Sequence, residues 1–416
     1  MSFNIALAAQ QAKQSCHAIA SLSTAQRQAL LSKIAELLLA HTPQILAANE
    51  IDMQQAKQNN ISAAMLERLS LNAEAIQSMA NSVLEVANQE EVLGAISHLK
   101  PLPSGIQVGK MRIPLGVIAM IYESRPNVTI DAAVLCLKAG NAVILRGGKE
   151  AQASNQALAE VLHAAFTALS LPTAIVTVIP DPDRAVMAQM LTLSESIDLV
   201  IPRGGEGLIR YVTANSQIPV IQHFKGVCHL YVDSSADITK ALNILENGKT
   251  QRTGVCNALE TLLVHQDIAH DFLTAAAQMF AQKQVKVHAC EASLPYFEGA
   301  SLATEDDWHA EYLALEIAVK QVADFDAAVA HITEYGSGHT EVIVTEQLTR
   351  SQQFIKQVNS SVVMVNASSR FSDGGQLGLG AEIGISTSKL HAYGPMGAQS
   401  LTTEKFVVMG DGHIRN

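Results

Sequence analysis

Cys256 has the strongest chemical setting of any side chain in this sequence. In Lys249-Thr250-Gln251-Arg252-Thr253-Gly254-Val255-Cys256-Asn257 a thiol follows a polar, glycine-containing turn and precedes the apolar run Leu259-Glu260-Thr261-Leu262-Leu263-Val264. A sulfur at the end of a loop, held against a strand, can be presented to a cleft with neighbouring backbone N–H groups free. Lys249 and Arg252 supply positive charge that favours the thiolate, and the free N–H groups can stabilise an oxyanion. That chemistry is acyl transfer through a thioester. The competing reading is a small buried apolar residue, the usual fate of a free cysteine.

Two further loops have the composition to meet phosphate. Arg146-Gly147-Gly148-Lys149 follows the apolar run Ala142-Val143-Ile144-Leu145, and Arg203-Gly204-Gly205-Glu206-Gly207 follows Ile197 to Ile201 and opens a helix at Leu208 to Thr213. Glycines let a backbone approach a phosphate, and helix N-termini offer orphan N–H groups. Neither loop is a GxGxxG fingerprint or a P-loop, and plain turns are the alternative. Arg146 with Lys149 forms a small cationic site that suits a ribose 2′-phosphate, hence NADP over NAD, although Glu150 adjoins them.

The elements that must position these residues change character along the chain. Residues 4 to about 92 read as helices, with a capping box at Ser23 to Gln26, Pro43 at the start of a helix, and Asn72 as a cap. Pro101, Pro103 and Gly105 break that pattern, and Gln107 to Ile113 alternates as a half-exposed strand would. From Pro114, short apolar runs at 117–121, 142–145, 175–179 and 197–201 alternate with helical stretches at 128–139, 152–168 and 183–192. A second series from Cys228 to about Val365 has runs at 229–232, 259–264, 317–322, 342–344 and 362–365. Such alternation predicts parallel, doubly wound sheets. A glycine-rich tail ends in an apolar strand at Lys405 to Met409.

Composition bounds the function. With 416 residues, 48% hydrophobic and 16% charged, the chain is long and apolar enough for two or three well-buried domains. A formal charge of −11 argues against a general nucleic-acid or membrane-surface binder. Cys16, Cys136, Cys228, Cys256 and Cys290 show no CxxC pairing, so neither a disulfide framework nor a zinc site is expected and a reducing cytoplasm is. Asn4, Gln10, Gln11 and Lys13 interrupt any signal-peptide pattern, and no apolar run reaches the roughly 18 to 20 residues of a membrane span.

Together these residues resemble the aldehyde dehydrogenase superfamily, and within it the branch that reduces L-glutamate 5-phosphate. Pro114 to Ile118, Lys138-Ala139-Gly140-Asn141-Ala142-Val143-Ile144-Leu145-Arg146 and Ile197 to Gly205 resemble the superfamily's cofactor-binding stretches. Glu311-Tyr312-Leu313 falls where a glutamate usually meets the nicotinamide ribose. Tyr335-Gly336-Ser337-Gly338-His339-Thr340-Glu341, Phe371 to Glu382 and Lys389 to Gly397 resemble the branch, and the likeness runs from about residue 5 to the C-terminus. Two departures stand out. Gln222-His223-Phe224-Lys225-Gly226 replaces the E-L-G-G stretch whose glutamate activates water, and Glu123-Ser124-Arg125-Pro126-Asn127 replaces P-W-N-F-P, source of an oxyanion asparagine.

The resemblance implies an α/β, aldehyde-dehydrogenase-like fold with two doubly wound parallel-sheet domains and a small β oligomerisation element. It implies an NADP-binding domain at 1–97 and 114–228, a catalytic domain at 229–392, and an oligomerisation hairpin and strand at 98–113 and 393–416. The implied reaction is NADPH-dependent reduction of the acyl phosphate to L-glutamate 5-semialdehyde and phosphate through a Cys256 thioester, with Asn127 or the Cys256 N–H as oxyanion donor. Arg146, Gly147, Gly148, Lys149, Arg203, Gly204, Gly205 and Glu311 are the expected cofactor contacts. Arg125, Lys225 and Arg252 are expected at the substrate's anionic ends, with Ser337 and His339 as further donors and Glu123 or Asp373 for its ammonium. His223 and His339 are candidate bases, while Cys228 is expected to be buried and inert. No metal is implied; a homo-oligomer and a transient contact with glutamate 5-kinase are. The alternatives are an oxidising dehydrogenase of another small aldehyde and a non-catalytic nucleotide-binding scaffold, for which an accessible thiol has no use.

Overall fold

The computed structural model describes residues 3–180 and 183–415, and its chain divides into two units. One runs to Gln222 and takes in Gly378–Ile385 and the chain from Pro395 onward; the other comprises His223–Leu377 and Ser386–Gly394. The break thus precedes residue 228, and Gly378–Ile385 groups with the first unit. Residues 1, 2 and 416, the ends of the expected domain spans, lie outside the described residues.

Five helices open the first unit: α1 (Ile5–Ala20), α2 (Thr24–Ala40), α3 (Thr42–Gln58), α4 (Ala63–Leu69) and α5 (Ala73–Asn88). Their starts are set by side chains. Ser23 Oγ accepts the Gln26 N–H at 3.3 Å while Gln26 Oε1 accepts the Ser23 N–H at 2.9 Å, and Asn72 Oδ1 accepts the Ala75 N–H at 2.7 Å. Each such cap contributes about 1 kcal/mol. Strands β1 (Ile96–Pro101) and β2 (Gln107–Pro114) form the expected hairpin, and the terminal strand Thr402–Met409 pairs antiparallel with β2.

The βα series follows as β3 (Val117–Tyr122), α6 (Asn127–Lys138), β4 (Ala142–Arg146), α7 (Gln152–Ala168), β5 (Val176–Val178), α8 (Arg184–Met190), β6 (Leu199–Arg203) and α9 (Glu206–Asn215). Its four strands are parallel, in the order β5-β4-β3-β6. Every residue of β3 is buried, as a strand covered on both faces should be, and α1 packs Ile5, Ala9 and Ala12 into the same core as Val117, Ala119 and Ile121. The strand order reverses between β3 and β6, so the crevice at their carboxyl ends is a topological switch point.

The second unit contains β7 (Cys228–Val232), α10 (Ile238–Thr250), β8 (Leu259–His265), α11 (Gln266–Lys283), β9 (Lys286–Ala289), β10 (Ser301–Leu302), α12 (Glu305–Trp308), β11 (Glu316–Val322), α13 (Phe325–Tyr335), β12 (Thr340–Val344), α14 (Leu348–Gln357) and β13 (Val362–Val365). All seven strands are parallel, ordered β10-β9-β11-β8-β7-β12-β13. β9 and β10 go beyond the predicted strands: they are short, lie at one edge, and carry Lys286, His288 and Ser301 in place of an apolar run. β7 and β8 are buried throughout and anchor the segments that precede them. Among the described residues no helix is long and apolar enough to cross a membrane.

Candidate active site

Cys256 lies at the amino edge of the second sheet, between the end of α10 and the start of β8. Its backbone is pinned while its residue stays partly exposed. The Cys228 Sγ–H donates to the Cys256 carbonyl at 3.1 Å, the Ala258 N–H donates to the Val255 carbonyl at 3.1 Å, and Ser369 Oγ donates to the Asn257 carbonyl at 2.7 Å. Asn257 Nδ2 in turn donates to the Ser372 carbonyl at 2.9 Å. Gly226 presses on the same backbone, since a Cβ there would stand 2.1 Å from the Cys256 carbonyl oxygen and 2.8 Å from its Cα. Cys228 is buried, and burial, with the nearby Glu341 charge, pushes its thiol well up. It serves as an inert donor.

The charge around the loop differs from expectation at Lys249. Its ammonium is fully buried and donates to Glu260 Oε2 at 2.6 Å, while Glu260 Oε1 accepts the Leu313 N–H at 3.3 Å. Burial lowers the Lys249 pKa and lifts that of Glu260 to about 7 against the pull of Lys249. The pair compensates itself, so Lys249 braces the end of α10 and does not act as an open cation toward the sulfur. The positive side chains that do gather here are the exposed Arg252 and, from the one-turn segment Ser369–Phe371, Arg370. Sequence reading missed Arg370, which stands one residue before the stretch that carried the resemblance.

Other expected residues converge on the strands' amino ends. Glu311 Oε1 accepts the Gly226 N–H at 2.8 Å, and Ser337 Oγ accepts the Val227 N–H at 2.9 Å. Lys225 Nζ donates to the His309 carbonyl at 2.7 Å. His339 is fully buried, with Nδ1 2.8 Å from Thr340 Oγ1 and 3.6 Å from Cys228 Sγ. Burial, helped by the neighbouring His223 ring, depresses its pKa to about 3, so it is a neutral imidazole at physiological pH. Asp373 Oδ1 is occupied by the N–H groups of Gly375 and Gln376, at 3.0 and 3.4 Å.

The first unit carries a separate constellation at the carboxyl ends of its strands. Register sets Arg146 beside Ile121 and Arg203 beside Tyr122, flanking the switch point, and Lys149 is exposed in the following turn. Gly147 is a packing requirement: a Cβ there would stand 2.1 Å from Asn155 Nδ2, whose Oδ1 accepts Thr129 Oγ1 at 2.8 Å. Gly205, another expected cofactor contact, has a hydrogen-bond partner within its own unit. Its N–H donates to Glu123 Oε2 at 3.0 Å, so a carboxylate of the same unit occupies the loop where a phosphate was expected, and Glu123 is thereby engaged. Glu150 closes the other loop by accepting the Ser124 N–H at 2.9 Å, with Ser124 held at φ 39°. Asn127 starts α6 and donates Nδ2 to Asp131 Oδ2 at 2.9 Å, where burial lifts the Asp131 pKa to about 6. Arg125 sits partly buried in the preceding turn. Among the described residues no group of three or more His, Cys, Asp or Glu is placed to hold a metal.

A profile of the aldehyde dehydrogenase family matches residues 3–293. The gamma-glutamyl phosphate reductase of Colwellia psychrerythraea is 58% identical over 99% of both chains, and that of Idiomarina loihiensis is 55% identical over 98% of both. The crystal structure of gamma-glutamyl phosphate reductase from Thermotoga maritima superposes with a TM-score of 0.97 at 40% identity, covering 100% of each chain.

Proposed function

The chain belongs to the aldehyde dehydrogenase family and, within it, to the gamma-glutamyl phosphate reductases, and from that premise we infer how its own residues carry the reaction. The enzyme is an oxidoreductase of proline biosynthesis that reduces L-glutamate 5-phosphate to L-glutamate 5-semialdehyde, releasing phosphate. The observation that carries the mechanism is the partly exposed Cys256 on a rigid, buried backbone.

The Cys256 thiolate adds to the acyl carbon, and the C–O bond to phosphate then breaks, with phosphate leaving on the electron pair. The resulting thioester is a better hydride acceptor than a carboxylate. Backbone N–H groups of the Cys256 loop, with Asn127 as a further donor oriented by Asp131, stabilise the oxyanion; each well-aimed donor is worth about 3 to 4 kcal/mol. No carboxylate occurs in Gln222-His223-Phe224-Lys225-Gly226, so the water-activating glutamate of a hydrolytic dehydrogenase is missing there and the thioester survives to be reduced. Lys225 and Arg252, with Ser337 and Arg125, are the proposed contacts for the substrate's charged ends.

NADPH, when bound, supplies the hydride. Arg146 and Arg203 at the switch point and the exposed Lys149 suit an anionic dinucleotide, and Arg146 with Lys149 suits its 2′-phosphate. Their guanidinium and ammonium groups carry that role, because the Gly205 N–H is already bound by Glu123. Glu311, fixed by the Gly226 N–H, is the proposed ribose contact. The enzyme works in the cytoplasm as a homo-oligomer through the sheet formed by β1, β2 and the terminal strand, which exposes Phe406, Val408 and Met409. A transient contact with glutamate 5-kinase would shield the labile acyl phosphate.

The test is NADP+ reduction by glutamate semialdehyde with and without inorganic phosphate, comparing intact protein with Cys256→Ala. Phosphate-dependent turnover that falls by more than about a thousandfold in the variant is expected. Turnover indifferent to phosphate, or retained without the thiol, refutes the mechanism.

A further inference from the structure

Arg370 is anchored to the nucleophile loop from both sides of its own turn. Ser369 Oγ donates to the Asn257 carbonyl at 2.7 Å, Asn257 Nδ2 donates to the Ser372 carbonyl at 2.9 Å, and Arg370 Nε donates to Gln251 Oε1 at 3.0 Å. Thr340 Oγ1 holds Ser372 Oγ at 2.7 Å from the far side. These bonds fix the guanidinium against the segment that carries Cys256. Its remaining donors are not all spent, because Arg370 Nη1 is buried and has no hydrogen-bond partner.

The field at this guanidinium is equally unusual. Burial first, and then the like charge of Arg252, work against its charged form, while Asp373, Cys256 and Cys228 favour it. Asp373 is already taken by two backbone N–H groups. Arg370 thus feels the like charge of Arg252 and the attraction of Cys256, and it keeps an unused buried N–H; an anion shared by the two guanidinium groups relieves their repulsion. A dianion with several acceptor oxygens is the natural complement, since arginine pairs with phosphate through parallel N–H···O bonds.

We propose that Arg370, together with Arg252, binds the phosphoryl group of the acyl phosphate beside Cys256 and holds phosphate as it departs. This rests on the reaction assigned above. The phosphorus lies two bonds from the carbon that sulfur attacks, whereas the substrate's α-carboxylate carbon lies four bonds away. Cations gathered at the sulfur therefore meet the phosphoryl end. In the forward step the S–C bond forms and the C–O bond breaks, and the electron pair departs on a phosphate oxygen already neutralised by the arginine pair. In reverse, the same pair delivers inorganic phosphate to the thioester.

The experiment has an arm that needs no turnover. Alkylation of Cys256 by anionic iodoacetate is compared with alkylation by neutral iodoacetamide, which cancels any change in thiol reactivity. The ratio of the two rates falls by about fivefold or more in Arg370→Gln and is largely kept in Arg370→Lys; inorganic phosphate slows alkylation of the intact enzyme but not of Arg370→Gln. Arg252→Gln, altered at an exposed position, shifts the ratio in the same direction. In the oxidative assay the KM for phosphate rises about tenfold or more in Arg370→Gln while the KM for glutamate semialdehyde stays within twofold. A raised KM for the semialdehyde with an unchanged KM for phosphate would assign the arginines to the α-carboxylate and overturn the proposal. So would an alkylation ratio indifferent to Arg370. Absence of phosphate-dependent turnover in the intact enzyme would instead sink the reaction mechanism, while the alkylation arm still reports on the anion site.

Discussion

Replacing Gly226 with alanine tests whether the nucleophile is positioned by backbone contact. A Cβ at 226 stands 2.1 Å from the Cys256 carbonyl oxygen, where ordinary contact begins near 3.4 Å and real Cβ atoms do not come within 3.0 Å. The two backbones must therefore part by 0.9 to 1.3 Å, the differences between those limits and the 2.1 Å separation. Neither side yields readily. Gly226 is tied through its N–H to Glu311 and its neighbour Val227 to Ser337, while Cys256 is held by Cys228 and its neighbour Asn257 by Ser369.

With both sides tied, a share of the displacement falls on the sulfur's own residue. A misplacement of about 1 Å costs about a hundredfold in rate, and the overpacking itself costs about 1 to 3 kcal/mol of stability. The assay is single-turnover acylation of Cys256, followed by a mass shift, alongside a thermal melt. Acylation slowed by about two orders of magnitude in a protein that still melts cooperatively is expected. Acylation within twofold of the intact enzyme would show that the loop relaxes freely, and positioning by Gly226 would be wrong.

Three further outcomes follow from buried groups. Lys249→Met strands the Glu260 carboxylate in the core and destabilises by about 3 to 5 kcal/mol in denaturant unfolding, whereas Lys249→Met with Glu260→Leu removes both charges and recovers most of that loss. His331 and His339 are held neutral, with pKa values of about 2 and 3 against an ordinary 6.5. Because the folded values are depressed, their stabilisation is complete above pH 6.5 and is lost as pH falls below it, by up to about 1.4 kcal/mol per histidine per pH unit. Melting temperature should drop between pH 6.5 and 5, less steeply in His339→Gln, and an unchanged slope would contradict the assignment. Gly147→Ala, which drives a Cβ into Asn155, should weaken NADPH binding measured by fluorescence, and an unaltered affinity would detach that loop from the cofactor.

Fold class was legible because its signals are local and periodic. Apolar runs of strand length between helical stretches predicted both parallel sheets, and Ser23, Pro43 and Asn72 start helices for reasons contained within one turn. The missed strands β9 and β10 are edge strands whose polar residues break the apolar pattern that a central strand must show. At the site, the partly exposed loop position of Cys256 was legible from its turn and the strand after it. The error at Lys249 and the omission of Arg370 have one cause: both depend on which charges meet across the sheet. Glu260 neutralises Lys249 because α10 and β8 pack together, and Arg370 arrives by way of β13 and a one-turn helix.

In the mechanism proposed above, the two sheets use opposite edges for opposite tasks. Arg146 and Arg203 end their strands, at the carboxyl edge where helices begin and N–H groups with cations favour an anionic dinucleotide. Cys256 precedes β8 at the amino edge, against the segment that leads into the neighbouring β7. A nucleophile placed there takes its rigidity from buried strands and its oxyanion donors from the loop backbone. The α10 terminus behind it presents carbonyl groups, whose negative dipole end disfavours a thiolate. Lys249 in that last turn cannot offset this alone, since its charge is spent on Glu260. A thiolate at this edge consequently needs cations from elsewhere in the unit, the role proposed above for Arg252 and Arg370, whose charges act on one another.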